Sequence, residues 1–291
     1  MFKGSMVALI TPFRNGAVDE KIFQRFVDWQ IGQGTHGVVP CGTTGESPTL
    51  SHAEHKRVVE LCVEAAKGRV PVVAGTGSNS TAEAIELTAH AKKAGATAAL
   101  VVTPYYNKPT QEGLYQHFKA INDAVELPIL IYNIPGRCVV DMSVATMARL
   151  AKLPNIVGVK DATNDLARPV KTREAIPDDF CMLSGEDGTV LAFLAQGGDG
   201  CISVTANLAP RACAEMHLAW QKGDLKTAAK IIARLAPLND ALFLETSPAP
   251  VKYGASLIDQ SGPELRLPLV PVTPETEAKV KSAMRFAGLL N

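Results

Sequence analysis

The sequence has no excess of either charge, since 29 lysines and arginines stand against 29 aspartates and glutamates. That balance removes the basic footprint on which nucleic-acid and anionic-membrane binding depend, and it leaves small molecules as the expected partners. Long hydrophobic runs are missing as well: no stretch reaches the ~18 uninterrupted apolar residues of a membrane-spanning helix. The opening residues, Met1-Phe2-Lys3-Gly4-Ser5-Met6-Val7, lack the basic, apolar and small-residue regions of a secretion signal. A cytoplasmic protein is therefore expected. Cysteine is sparse and scattered. Cys41, Cys62, Cys138, Cys181, Cys201 and Cys213 form no C-x-x-C pair and no zinc-finger spacing with histidine. A chain of 291 residues has no need of disulfide staples, so reduced, mostly buried thiols and no metal site are expected.

What the sequence does contain is an interval. Eight short β-rich runs recur: Met6–Ile10, Gly37–Pro40, Val70–Ala74, Ala98–Val102, Ile129–Tyr132, Ile156–Lys160, Phe180–Leu183 and Gly200–Val204. They are continuously apolar rather than alternating, the pattern of parallel strands covered on both faces. Amphipathic stretches of helical length lie between them, including Ser51–Lys67, Ser80–Ala94, Gln111–Val125 and Ser143–Lys152. Ser51-His52-Ala53-Glu54 and Ser80-Thr81-Ala82-Glu83 both match the capping box that opens a helix. Strand then helix, eight times over, predicts an α/β fold, a (β/α)8 TIM barrel, although a doubly wound open sheet uses the same units. After residue 224 the strand signal fades into Leu225–Leu244, Val251–Asp259 and Pro274–Leu290, which read as helices. The expected division is a catalytic barrel over 1–224 and a C-terminal helical extension over 225–291.

Barrel chemistry gathers where strands end, so the residues after each run are the candidates. Lys160 closes the otherwise uncharged run Ile156-Val157-Gly158-Val159-Lys160. An amine there suits a nucleophile, because an apolar setting destabilises the ammonium, but pairing with Asp161 would make it purely structural. Tyr132 ends the preceding run, close enough to pass protons at an imine, or else to be an ordinary core tyrosine. Gly42-Thr43-Thr44-Gly45-Glu46-Ser47 offers backbone amides and two hydroxyls to a small carboxylate, or forms a plain βα turn. In Pro135-Gly136-Arg137 the guanidinium fork could bind a carboxylate bidentately or be solvated. Thr103-Pro104-Tyr105-Tyr106-Asn107-Lys108-Pro109 places two tyrosines in a Pro-flanked loop, which calls for a partner or a ligand.

Taken together, Gly42 to Ser47, Tyr105 to Pro109, Tyr132 to Arg137 and Val157-Gly158-Val159-Lys160-Asp161-Ala162-Thr163 resemble the signature segments of the dihydrodipicolinate synthase / N-acetylneuraminate lyase family. The likeness covers essentially the whole chain. It implies a lyase of the class I aldolase type with no metal and no organic cofactor, in which pyruvate becomes a covalent imine on Lys160. The resemblance further implies addition to L-aspartate 4-semialdehyde and cyclisation, the first committed step of diaminopimelate and lysine biosynthesis. By the same resemblance Thr43, Tyr132 and Tyr106 form a proton relay, with Tyr106 supplied across a subunit interface, and the pyruvate carboxylate is held around Thr43 and Thr44 and by the backbone near Ile202. The resemblance also implies that Arg137 takes the carboxylate of the semialdehyde, a residue the sialic-acid lyases lack in that loop. Ser47, His52, His55, Asn79, Glu83 and Tyr105 match a feedback site for L-lysine, with Pro48 standing where relatives often have alanine. A homo-oligomer, a tetramer built as a dimer of dimers, is implied too.

Three other readings compete, one of them a ligand-binding or regulatory barrel that has lost turnover, against which the intact set Lys160, Tyr132, Thr43 and Tyr106 argues. A pyruvate aldolase for a sugar acid or sialic acid would use the same lysine with a different aldehyde pocket. A dinucleotide-binding protein is suggested by Val72-Val73-Ala74-Gly75-Thr76-Gly77-Ser78-Asn79-Ser80, yet Ser80 replaces the third glycine and no acidic residue ends the next strand.

Overall fold

The computed structural model describes residues 2–291. All eight apolar runs become strands: β1 (Gly4–Ala8), β2 (Gly37–Val39), β3 (Val73–Gly75), β4 (Ala98–Val102), β5 (Ile129–Asn133), β6 (Ile156–Asp161), β7 (Cys181–Ser184) and β8 (Gly200–Ser203). They lie in the order β2-β1-β8-β7-β6-β5-β4-β3, every pair parallel. The two ends of that order meet, because Val38 bridges Val72 in parallel. The Val38 N–H donates to Pro71 O at 3.0 Å, and the Gly75 N–H donates to Pro40 O at 2.9 Å. The sheet is thus a barrel, not the open doubly wound alternative.

Each strand is apolar on both faces because each face meets a different core. Met6, Val39, Leu100, Leu130, Leu183 and Ile202 fill the barrel interior. Their neighbours Val7, Val38, Val101, Ile131, Val159 and Met182 face outward into the helical layer, where Phe23, Phe26, Val58, Leu114 and Phe118 cover them. This alternation is why the strands read as continuous hydrophobic runs.

The covering helices are α1 (Glu20–Gly32), α2 (His52–Ala66), α3 (Thr81–Ala94), α4 (Gln111–Ala124), α5 (Val144–Leu150), α6 (Arg168–Ala175), α7 (Val190–Ala195) and α8 (Pro210–Gln221). Three more follow: α9 (Leu225–Ala241), α10 (Ala249–Leu257) and α11 (Pro274–Phe286). The capping box forms at α2, where Ser51 Oγ accepts from Glu54 N at 3.2 Å and Ser51 N donates to Glu54 Oε2 at 2.9 Å. It does not form at α3. There the Ser80 N–H is already taken by Ser78 Oγ at 3.0 Å, so Glu83 turns instead to Ser78 and His52.

All six cysteines are buried and unpaired, as expected, and burial pushes every thiol above its usual range. Three histidines are buried too. Burial pushes His55 and His117 down to about 4 and His217 to about 3. The unfolded chain binds protons at these rings more readily than the folded one, so their neutral packing stabilises fully above about pH 6.5 and progressively less as pH falls toward 4. The thermal midpoint is therefore expected to drop between pH 7.5 and pH 5. A midpoint unchanged over that range would contradict neutral burial of these rings.

Candidate active site

Lys160 sits near the end of β6, paired across from Tyr132 on β5 and Leu183 on β7. It is 6% exposed, and its Nζ lies 4.2 Å from the centroid of the Tyr132 ring. Gly185 makes room for it, since a Cβ there would come within 3.1 Å of Lys160 Cε. Pairing with Asp161 does not occur. Asp161 Oδ1 accepts from Thr163 N at 2.9 Å and Thr163 Oγ1 at 2.7 Å, and its Oδ2 faces Arg168 Nε at 3.6 Å. Among the described residues, Lys160 enters no ion pair; its amine rests against an aromatic face at a strand end. Glu186, one residue past Gly185, has its carboxyl pushed up by burial, an effect the nearby Lys160 opposes.

A network built on buried Asn133 and Arg168 and on exposed Asp141 braces both strand ends from behind. Arg168 Nη1 donates to Asp141 Oδ2 at 2.8 Å, and its Nη2 reaches Met142 O. Asn133, next to Tyr132, donates from Nδ2 to Asp141 Oδ1 at 2.8 Å and accepts from Met142 N at 3.0 Å. Asp161, beside Lys160, faces the same guanidinium. Arg168 and Asp141 escaped notice in the sequence, because a charged pair at this separation carries no spacing rule.

Thr43 and Thr44 lie in the loop between β2 and α2, with Thr44 buried and Thr43 half-buried. A cavity of about 200 Å³ is lined by Thr43, Ser47, Gly77, Tyr105, Ile134 and Arg137, among others. Arg137 closes one side, its Nη2 donating to Ser247 O at 3.3 Å. Ile202 is buried on β8, in register with Met6. The loop after β5 therefore carries Ile134 and Arg137 to the cavity beside the threonine loop, while Tyr132 stays on the strand itself, paired with Lys160. Gly77, read as a possible dinucleotide feature, serves close packing instead, for a Cβ there would stand 2.3 Å from Val102 N. Tyr106 is not brought to this site within one chain: it is 89% exposed, takes a left-handed φ of 70° and does not line the cavity.

The set expected to bind lysine divides. His52 Nε2 meets Glu83 Oε1 at 2.5 Å, and Asn79 Nδ2 donates to Tyr105 O at 3.3 Å. Ser47 and Tyr105 line the same cavity as Thr43. His55 is buried, with its Nε2 on Gly75 O at 2.8 Å. Among the described residues, no group of three or more His, Cys, Asp or Glu is placed to hold a metal ion, and no helix is long and apolar enough to cross a membrane.

Known proteins resemble this chain in sequence and fold along its whole length. The model of the dihydrodipicolinate synthetase family matches residues 1–287. The 4-hydroxy-tetrahydrodipicolinate synthase of Rhodospirillum centenum is 70% identical over 290 residues, covering 100% of both chains. That of Bradyrhizobium diazoefficiens is 64% identical, covering 100% of this chain and 98% of the relative. Among solved structures, the dihydrodipicolinate synthase of Acinetobacter baumannii complexed with pyruvate superposes with a TM-score of 0.97 at 46% identity, covering 100% of each chain. The enzyme of Cyanidioschyzon merolae with lysine bound superposes at 0.96 and 37% identity, covering 99% of each. The chain belongs to the dihydrodipicolinate synthetase family.

Proposed function

We infer that this chain is a lyase that condenses pyruvate with L-aspartate 4-semialdehyde to 4-hydroxy-tetrahydrodipicolinate, the first committed step toward diaminopimelate and lysine. The observation that carries the mechanism is the unpaired amine of Lys160, held in an apolar strand end with its Nζ 4.2 Å from the Tyr132 ring centroid.

The Lys160 amine adds to the pyruvate ketone carbon, a proton moves to the carbinol oxygen, and water leaves to form the imine. Loss of a methyl proton gives the enamine, whose carbon adds to the aldehyde carbon of the semialdehyde. The amine of the semialdehyde then attacks the imine carbon. The bond to Lys160 breaks as the ring closes, which returns a free lysine. Each step needs a proton donor or acceptor at the imine, and we assign Tyr132, Thr43 and Tyr106 to that relay. The hydroxyl and amides around Thr43 and Thr44, with the backbone near Ile202, hold the pyruvate carboxylate. Arg137 takes the semialdehyde carboxylate with its guanidinium fork.

Tyr106 reaches the relay from a neighbouring copy. Its exposure and left-handed backbone are costly for an aromatic residue standing alone, and docking on a second chain removes the exposed surface. We assign the assembly to a homotetramer made of two such dimers, as the family resemblance implies. L-lysine acts as feedback inhibitor at Ser47, His52, His55, Asn79, Glu83 and Tyr105, with Glu83 meeting its ammonium. The cavity shared by Ser47, Tyr105 and Thr43 supplies the path to the active site. The enzyme uses no cofactor beyond its own lysine and works in the cytoplasm. Residues 1–224 act as the catalytic barrel and 225–291 as its helical extension.

The test is turnover of pyruvate with either aspartate semialdehyde or N-acetylmannosamine, coupling the first product to its NADPH-dependent reductase. Turnover with the semialdehyde alone is expected. Turnover with N-acetylmannosamine alone would overturn the substrate assignment and move the enzyme to the sugar-acid branch of the family.

A further inference from the structure

Among the described residues, one ion pair has both side chains completely buried, and it belongs to neither strand ends nor relay. Lys252 on α10 donates from Nζ to Glu46 Oε1 at 2.7 Å, and both side chains are 0% exposed. Glu46 ends the threonine loop in a left-handed conformation, φ 54°, that a residue with a side chain rarely adopts without being held. It is held from several sides. Its Oε2 accepts from the Arg266 N–H at 3.2 Å, and its own N–H donates to Thr43 O at 3.1 Å. Lys252 also donates to Thr11 O at 2.9 Å and lies 4.2 Å from the Phe13 ring centroid. Thr11 Oγ1 in turn donates to Gly45 O at 2.7 Å. A continuous chain of contacts therefore runs from α10 through Lys252 to Glu46, and through Thr11 to Gly45, and it fastens the residues that follow Thr43 and Thr44 in the turn.

A buried pair of this kind is weak evidence for stability, because desolvating two charges offsets their attraction, and apolar replacements of similar volume are often neutral. Its position suggests a different use. We propose that Lys252 and Glu46 are positioning residues, by which the C-terminal helices fix the threonine loop for the pyruvate carboxylate and the relay. This proposal rests on the assignment of Thr43 and Thr44 to pyruvate made above.

The experiment compares steady-state kinetics and borohydride trapping of the pyruvate imine in wild type, Lys252→Met/Glu46→Gln, Thr11→Val and Thr44→Val. The double variant removes both charges, so no buried charge is stranded, and Thr11→Val keeps the ion pair while cutting the tie to Gly45. The double variant is expected to unfold near the wild-type temperature, to raise the KM for pyruvate and to trap the imine more slowly. Its kcat should fall by roughly tenfold to a hundredfold, the scale on which displacement by an ångström acts. The KM for the semialdehyde should stay unchanged, and Thr11→Val should move the same parameters less far. Wild-type pyruvate kinetics in a folded double variant, with Thr44→Val impaired, would overturn the tether alone. Wild-type kinetics in Thr44→Val would overturn the loop assignment, and the tether with it. Should the double variant fail to fold, Thr11→Val decides: unchanged pyruvate KM and trapping rate would overturn the proposal.

Discussion

Replacing Lys160 by Ala is expected to abolish turnover while leaving the barrel folded. The amine is the nucleophile that the enzyme itself supplies to the proposed route, and without it pyruvate has no covalent attachment and no route to the enamine. Loss of a catalytic nucleophile elsewhere costs up to about six orders of magnitude, and a fall of roughly four or more is expected here. The fold should tolerate the change because Lys160 makes no ion pair that its removal would strand. Asp161 keeps Thr163 and Arg168, and Tyr132 keeps its place in the barrel interior. The checks are a coupled turnover assay and a thermal unfolding curve on the same preparation. A folded variant with appreciable turnover would end the Schiff-base assignment. An unfolded one would show that the lysine holds the strand ends rather than the substrate.

Arg137→Ala is the second large effect, and it separates the two substrates. A hydrogen bond to a charged group contributes on the order of 1.5–3 kcal/mol, so loss of the fork should lower kcat/KM for the semialdehyde by about 10- to 100-fold. The imine with pyruvate should form at the wild-type rate, because Arg137 enters only when the second substrate binds. The guanidinium meets the fold through one hydrogen bond, to Ser247 O at 3.3 Å, so truncation should leave stability near that of the wild type. Initial rates with each substrate varied at saturation of the other provide the measurement. An unchanged semialdehyde KM would remove the role given to Arg137, and a raised pyruvate KM would place the guanidinium at the wrong carboxylate.

The barrel was legible because its physics is local. Apolar runs at a steady interval, capping residues and the rule that chemistry sits at strand ends located Lys160, Tyr132 and the threonine loop without any knowledge of contacts. Pairing of Tyr132 with Lys160 follows from adjacency of their strands, and the register bears it out. What the sequence hid depends on partners far apart along the chain. The Ser80–Glu83 capping box failed because Ser78 took the donor it needed, a competition that spacing cannot reveal. Lys252 falls in a stretch, Val251–Asp259, that reads only as a helix, yet it is fully buried against Glu46, 206 residues away. The bland reading of Lys160 as Asp161's partner was ended by Arg168, whose guanidinium faces that carboxylate. Tyr106 stands at the other extreme: its sequence context called for a partner, and its exposure leaves that surface free on the single chain.

The most direct measurement is borohydride reduction of the wild-type enzyme in the presence of pyruvate alone, followed by mass analysis of the intact chain and of its peptides. One reduced pyruvate per chain, on the peptide containing Lys160 and absent in Lys160→Ala, is the predicted result. Modification of a different lysine, or none at all in an enzyme that turns over, would contradict the account.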